Sequence, residues 1–208
     1  MALETAVVYA VPVEEPNLGE FRKTVFLAKT GLGTARVSAF TWDLLSRNQE
    51  IKRVIRIGIV GGIGLEVGEI VIPSHFFRLL SKESPVRFSP DERLFSIATQ
   101  KGRFKTPIIC TIPDRMRRPR QEKLLMIYRK EYKTVAVDME TAEIARVCSS
   151  YEIPFLAAVV VGDKIEEGAS WRKAQTTIPS LTKQLEIKKL EREFLLPFLQ
   201  IITNGANF

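Results

Sequence analysis

Seven consecutive apolar residues, Phe155 to Val161, end abruptly at Gly162-Asp163. A run this short and this apolar offers no polar face to water. It therefore reads as a strand buried on both sides, in the middle of a sheet covered by helices. Thr134 to Asp138 reads as a preceding strand and Glu140 to Ser150 as a helix between the two. The spacing describes one parallel βαβ crossover. It would bring a carboxylate to the C-terminal end of each strand, the edge where open α/β sheets bind ligands, and both would face one crevice.

The rest of the chain keeps this alternation. Strands are expected at Thr5 to Val11, Thr24 to Lys29, Arg53 to Ile59, Glu69 to Ile72 and Thr106 to Thr111. Helices are expected after Thr34, over Asp91 to Thr99, over Gln121 to Lys130, and as one long element from Ser180 to near Ile202. His75 to Leu80 can continue a strand. Gly31-Leu32-Gly33 and Gly61-Gly62 read as tight turns. No repeat or linker divides the 208 residues, so we expect one domain, 1–208, with a mostly parallel sheet. No basic leader and no apolar run long enough for a membrane span is seen, which makes the cytoplasm the expected compartment. Cys110 and Cys148 lie in apolar patterns and read as reduced core thiols.

The net charge is +7, yet the basic residues are scattered except for Arg115, Arg117, Arg118, Arg120 and Lys123. No aromatic residues interleave with that cluster as a stacking surface for nucleic acid requires. It reads as a solvated loop or helix start, or as a surface for an anionic ligand. His75 is the only histidine, so neither a metal site nor a Ser/His triad is expected.

Three segments carry a family resemblance. They are Asp138-Met139-Glu140-Thr141-Ala142 followed by the buried strand to Asp163, Ile55 to Gly64 with Val67-Gly68-Glu69-Ile70-Val71-Ile72-Pro73, and Thr30-Gly31-Leu32-Gly33-Thr34-Ala35. In this order they resemble the nucleoside phosphorylase and nucleosidase superfamily, over roughly residues 5 to 180. The resemblance implies a three-layer sandwich around a twisted, mixed, largely parallel sheet. It implies an enzyme that cleaves the N-glycosidic bond of a nucleoside, with no cofactor, assembled as a homo-oligomer.

The resemblance also implies roles. Asp163 would protonate the purine at N7, and a carboxyl beside an apolar wall has the raised pKa that suits an acid. Glu140 would bind the ribose hydroxyls and Met139 would pack on the sugar. Glu14, or Glu15 after a one-residue slip, would activate water. Gly61 and Gly62 would let backbone approach the sugar or nucleophile. Met116 falls in the loop that lines the base. Arg56 falls where uridine phosphorylases hold phosphate, so it either binds phosphate or makes an ion pair with a carboxylate such as Glu14. Asp138 would point to the second layer of the site.

Two departures from the family pattern stand out: Gly162 replaces the usual Ser, and Ile59-Val60 replace hydroxyl residues. The acidic turn Val13-Glu14-Glu15-Pro16 repels phosphate, and this favours hydrolysis of a purine nucleoside or 5′-modified adenosine. The alternatives are a phosphorylase that takes phosphate as co-substrate and makes ribose 1-phosphate, separable by Arg56→Ala, and a catalytically weak nucleoside-binding protein.

Overall fold

The computed structural model describes residues 4–79, 85–100, 104–112, 119–165 and 180–204. Met116, the cluster Arg115, Arg117 and Arg118, and the segment around Trp171 lie outside them.

One long strand organises the sheet. β1 (Thr5–Tyr9), β2 (Val25–Lys29) and β3 (Arg53–Ile63) run parallel, with β1 between the other two. Beyond β3 lie β8 (Val135–Asp138), β7 (Ile108–Thr111), β5 (His75–Arg78) and β6 (Val86–Phe88). The strand β9 (Phe155–Lys164) also pairs with β3, in parallel, and carries the short β4 (Ile70–Val71) on its other side. Among the described strands, pairing is antiparallel only between β3 and β8, β4 and β9, and β5 and β6.

Period-two alternation sorts the core into two layers. Ala6, Val8, Val54 and the odd-numbered residues Phe155 to Val161 pack under α1 (Thr34–Arg47) and α4 (Thr141–Ser150). Val7, Tyr9, Ile55, Ile57, Leu156, Ala158 and Val160 pack under α2 (Glu92–Gln100) and the C-terminal helices. A third cluster joins β5, β7 and β8 to α3 (Pro119–Tyr132) through Phe77, Val135, Val137 and Leu125. This is a three-layer sandwich around a mixed, largely parallel sheet. Cys110 and Cys148 are buried free thiols, and no described helix is long and apolar enough to cross a membrane.

Four expectations need correction. The glycines 61 and 62 do not turn the chain, because β3 runs through them to Ile63. β8, α4 and β9 do not form a parallel crossover: β8 runs antiparallel to β3 while β9 runs parallel to it. Asp163 does not follow its strand, since β9 extends to Lys164. The long last helix is two, α5 (Ser180–Leu190) and α6 (Leu196–Asn204), joined by a π-helical stretch at Glu191–Leu195. Pro197, which lacks an N–H, explains that interruption.

Gly62 has a packing reason to be glycine. A Cβ there would stand 2.8 Å from Val161 Cγ1 and 2.9 Å from Leu65 Cβ. Gly62→Ala is expected to lower stability by about 1–3 kcal/mol through overpacking, measured by urea denaturation.

Candidate active site

The site begins where β1 and β3 separate. Their ladder ends at Val8 opposite Arg56, and the chain after β1 folds into a 3₁₀ turn, Pro12–Glu14. The carboxylate of Glu14 fills the gap. Its Oε2 accepts from Ala10 N (2.9 Å) and Val11 N (3.3 Å), and its Oε1 from Ile59 N (2.9 Å). Three donors occupy three of the roughly four acceptor positions on a carboxylate, so one on Oε1 remains for a ligand or water. Glu14 is buried, whereas Glu15 is exposed and pairs with Arg22. The slip to Glu15 therefore does not fit the geometry.

Arg56 lies beside this turn, 1% exposed in an apolar strand. Its Nη2 is 3.2 Å from Asp138 Oδ2 and 3.4 Å from Glu140 Oε2. Burial pulls the guanidinium pKa down, but the charges of Asp138, Glu14 and Glu140 outweigh it and raise the value. The expected ion pair is thus present, with Asp138 and Glu140 as the direct partners. Nη1 is buried and has no hydrogen-bond partner among the described residues. Gly58 makes room for it, since a Cβ there would lie 2.7 Å from Nη1. Arg56→Ala would strand two buried carboxylates as well as any phosphate, so it cannot by itself tell a hydrolase from a phosphorylase.

Asp138 and Glu140 reach Arg56 because of how α4 starts. The first N–H groups of a helix lack partners within it. Asp138 Oδ2 accepts from Thr141 N (3.0 Å) and from the Thr141 hydroxyl, while Thr111 Oγ1 accepts from Ala142 N (2.8 Å) and donates to Asp138 Oδ1 (2.7 Å). Asp138 is therefore a structural anchor behind the site. Glu140 Oε1 accepts from Gly33 N (3.2 Å), and Oε2 also accepts from Met139 N (3.2 Å). Gly33 takes φ 89°, a conformation that favours glycine, and Met139 Cε lies 3.8 Å from where its Cβ would be. Burial and the Asp138 charge push the Glu140 carboxyl up to about 7, against the pull of Arg56 and the Gly33 N–H.

Asp163 arrives from the other side of β3. Gly61 is opposite Asp163 on β9 and opposite Val137 on β8, so the two strands deliver Asp163 and the Asp138–Glu140 segment to the same step of β3. Asp163 is half-buried. Sequence reasoning did not anticipate the parts played by Thr111, Thr141 and the Ile59 N–H. Thr111 carries no local motif, Thr141 lies in the quoted segment Asp138 to Ala142 but with no role of its own there, and the Ile59 amide is invisible to any side-chain pattern. Among the described residues no cluster of three His, Cys, Asp or Glu side chains is spaced to hold a metal ion.

Residues 13–187 match the family model described as the phosphorylase superfamily. The chain is 28% identical over 181 residues to the 5′-methylthioadenosine/S-adenosylhomocysteine nucleosidase of Actinobacillus succinogenes, covering 78% of this chain and 77% of that one. Among solved structures, the nucleosidase of the same name from Campylobacter jejuni aligns with a TM-score of 0.74 at 16% identity, over 96% of this chain and 99% of that one. Futalosine hydrolase of Helicobacter pylori strain 26695 aligns with a TM-score of 0.70 at 14% identity, over 97% of each chain. These structural likenesses concern the fold.

Two predictions follow from the buried charges. Replacing Arg56 with Met is expected to remove about 3–5 kcal/mol of stability, because Asp138 and Glu140 are left without their counter-ion; urea denaturation measures it. The Glu140 carboxyl titrates near 7 in the folded protein against an ordinary value of 4.5. The stability it contributes is complete below about 4.5 and is lost as the pH rises through 7. Glu140→Gln should remove that fall, seen by comparing melting temperatures of the two proteins from pH 4.5 to 8.

Proposed function

We propose, given that the chain belongs to the phosphorylase superfamily, that it is a nucleosidase, using water to cleave the N-glycosidic bond of a purine nucleoside or 5′-modified adenosine. The observation that carries the choice of water is the charge balance of the site. Glu14, Asp138 and Glu140 act on one guanidinium, Arg56. A phosphate anion entering there meets a net negative field, whereas neutral water does not.

In this reading Glu14 takes a proton from water through the free position on Oε1 as the water oxygen attacks C1′. The C1′–N bond breaks through an oxocarbenium-like state, and Asp163 gives its proton to the departing base at N7. Glu140 accepts from the ribose hydroxyls and Met139 packs on the sugar. Glu140 already holds three donors, so the second ribose hydroxyl displaces the Gly33 N–H. Every step uses side chains, backbone and water, with no cofactor. The active unit is a homo-oligomer of at least two copies.

The second reading is a phosphorylase, favoured by Nη1 of Arg56, which has no partner among the described residues. Incubation with methylthioadenosine, S-adenosylhomocysteine, adenosine, inosine and uridine, with and without phosphate, separates the two by chromatography. Free base and free sugar without phosphate are expected; base release only with phosphate would overturn hydrolysis. Asp163→Asn is expected to lower kcat by about 10²–10⁴-fold, the usual contribution of a general acid, while the nucleoside still raises the melting temperature.

A further inference from the structure

The strand that carries Asp163 contains one residue more than its partner at this point. Ile59 is opposite Val160 and Val60 opposite Val161, but Gly61 is opposite Asp163. Gly162 is the extra residue, and the register shift falls between Val60 and Gly61 on β3. A bulge of this kind bends its strand and re-aims the side chains that follow. The aim of Asp163 therefore depends on what holds Gly162.

Gly162 is buried, with no positive φ, so its backbone suits any residue. The space does not. A Cβ built on Gly162 would overlap Ile59 Cγ2, while its next neighbours, Ile59 Cβ at 3.8 Å and Val60 O at 4.0 Å, lie at ordinary contact. Among the described residues, one methyl group alone overlaps the place of a Cβ at 162. That methyl belongs to a residue whose amide is fixed by Glu14 Oε1 at 2.9 Å and whose side chain packs on the core beneath the C-terminal helices. Rotating the Ile59 side chain away would give up that packing, and shifting its backbone would give up the bond to Glu14.

We propose that Ile59 and Gly162 are one steric pair that positions Asp163: the Ile59 γ-methyl occupies the space given up by the side chain at 162 and fixes the bulge. The two departures noted in the sequence, an apolar residue at 59 and a glycine at 162, are then a single exchange of volume between neighbouring strands. Ile59 is a positioning residue, joined by its amide to the candidate base and by its methyl to the bulge before the candidate acid. The proposal rests on the reading of Asp163 as the acid.

A double-mutant cycle tests it with Gly162→Ala, Ile59→Ala and the pair together. Gly162→Ala is expected to lower kcat by about tenfold or more by displacing Asp163, and to lower the melting temperature. Ile59→Ala is also expected to lower kcat, and Ile59→Val, which keeps a γ-methyl, should lower it by much less. The double variant should recover most of the loss, because the alanine methyl at 162 replaces the one removed at 59. A p-nitrophenyl riboside, whose leaving group departs without a proton, should be hydrolysed by Ile59→Ala much as by the unaltered protein. A general packing defect would slow both substrates alike, and that result would overturn the positioning role.

Full activity of Gly162→Ala, or a double variant no better than the worse single one, would also overturn the proposal. If Gly162→Ala fails to fold, recovery of a folded, active double variant carries the test. If the unaltered protein releases no base from any nucleoside, the nucleosidase reading fails by itself. The cycle is then read from melting temperatures and from the ¹³C shift of the labelled Asp163 carboxyl. Both should change in each single variant and return in the double; additive changes would sink the pairing.

Discussion

A guanidinium 1% exposed in the middle of an apolar strand sets the terms for everything around it. A buried charge is tolerated only when it is paired and hydrogen-bonded. Arg56 meets that requirement with residues from elsewhere in the chain, Asp138 and Glu140, and is held further by the charge of Glu14. Each of these carboxylates has a second task. Asp138 satisfies the first turn of α4, Glu140 holds the loop that begins α1 through Gly33, and Glu14 closes the gap between β1 and β3. The ion-pair cluster thus ties together the 3₁₀ turn, β3, β8 and the entrances of two helices. A change at any member is felt as both a loss of stability and a loss of geometry.

The position of the cluster follows from β3. This strand pairs with β1 along its first part, with β9 along nearly its whole length and with β8 at its end. Where β1 leaves, amides are exposed and a carboxylate takes them. Where the β9 register shifts, Asp163 is presented. Where β8 ends, Met139 and Glu140 enter. One strand therefore gathers groups that are far apart in sequence into one region, and its glycines keep that region narrow: Gly58 admits the Arg56 head group and Gly62 admits Val161 and Leu65.

The layers of the fold were legible because they are written locally. The run Phe155 to Val161 can only be a covered strand, and the helical spacing in α1 places Val37 and Leu44 on the core. The direction of β8 was not legible, since Val135 to Val137 pair with the far end of β3 and nothing within a short apolar segment encodes which way it lies. Gly61-Gly62 reads as a turn for a sound reason, the freedom of glycine, but here small size at the sheet centre is what decides. Met139 and Glu140 were singled out by resemblance, Asp163 by its place at the end of an apolar strand as well as by resemblance, and Arg56 because it falls at a family phosphate position. The amide of Ile59 and the hydroxyl of Thr111 escaped notice, because a hydrogen bond made across the fold leaves no pattern in the chain.

The raised pKa of Glu140 bears on how such a site treats a developing positive charge. In the free protein, burial and the charge of Asp138 disfavour the anion and push the carboxyl up to about 7. In the proposed mechanism a sugar that gains positive charge at C1′ would reverse the balance, because that charge would lie next to a buried carboxylate that water does not screen. Interactions that strengthen only as the bond breaks are the ones that raise kcat. Arg56 moderates the effect: it pairs with Asp138 behind the site and draws part of the Glu140 charge toward itself. The arrangement leaves a cluster with more negative than positive groups, held by one buried cation and a row of backbone amides. It suits a neutral nucleoside that becomes a cation far better than an anion brought in to attack it.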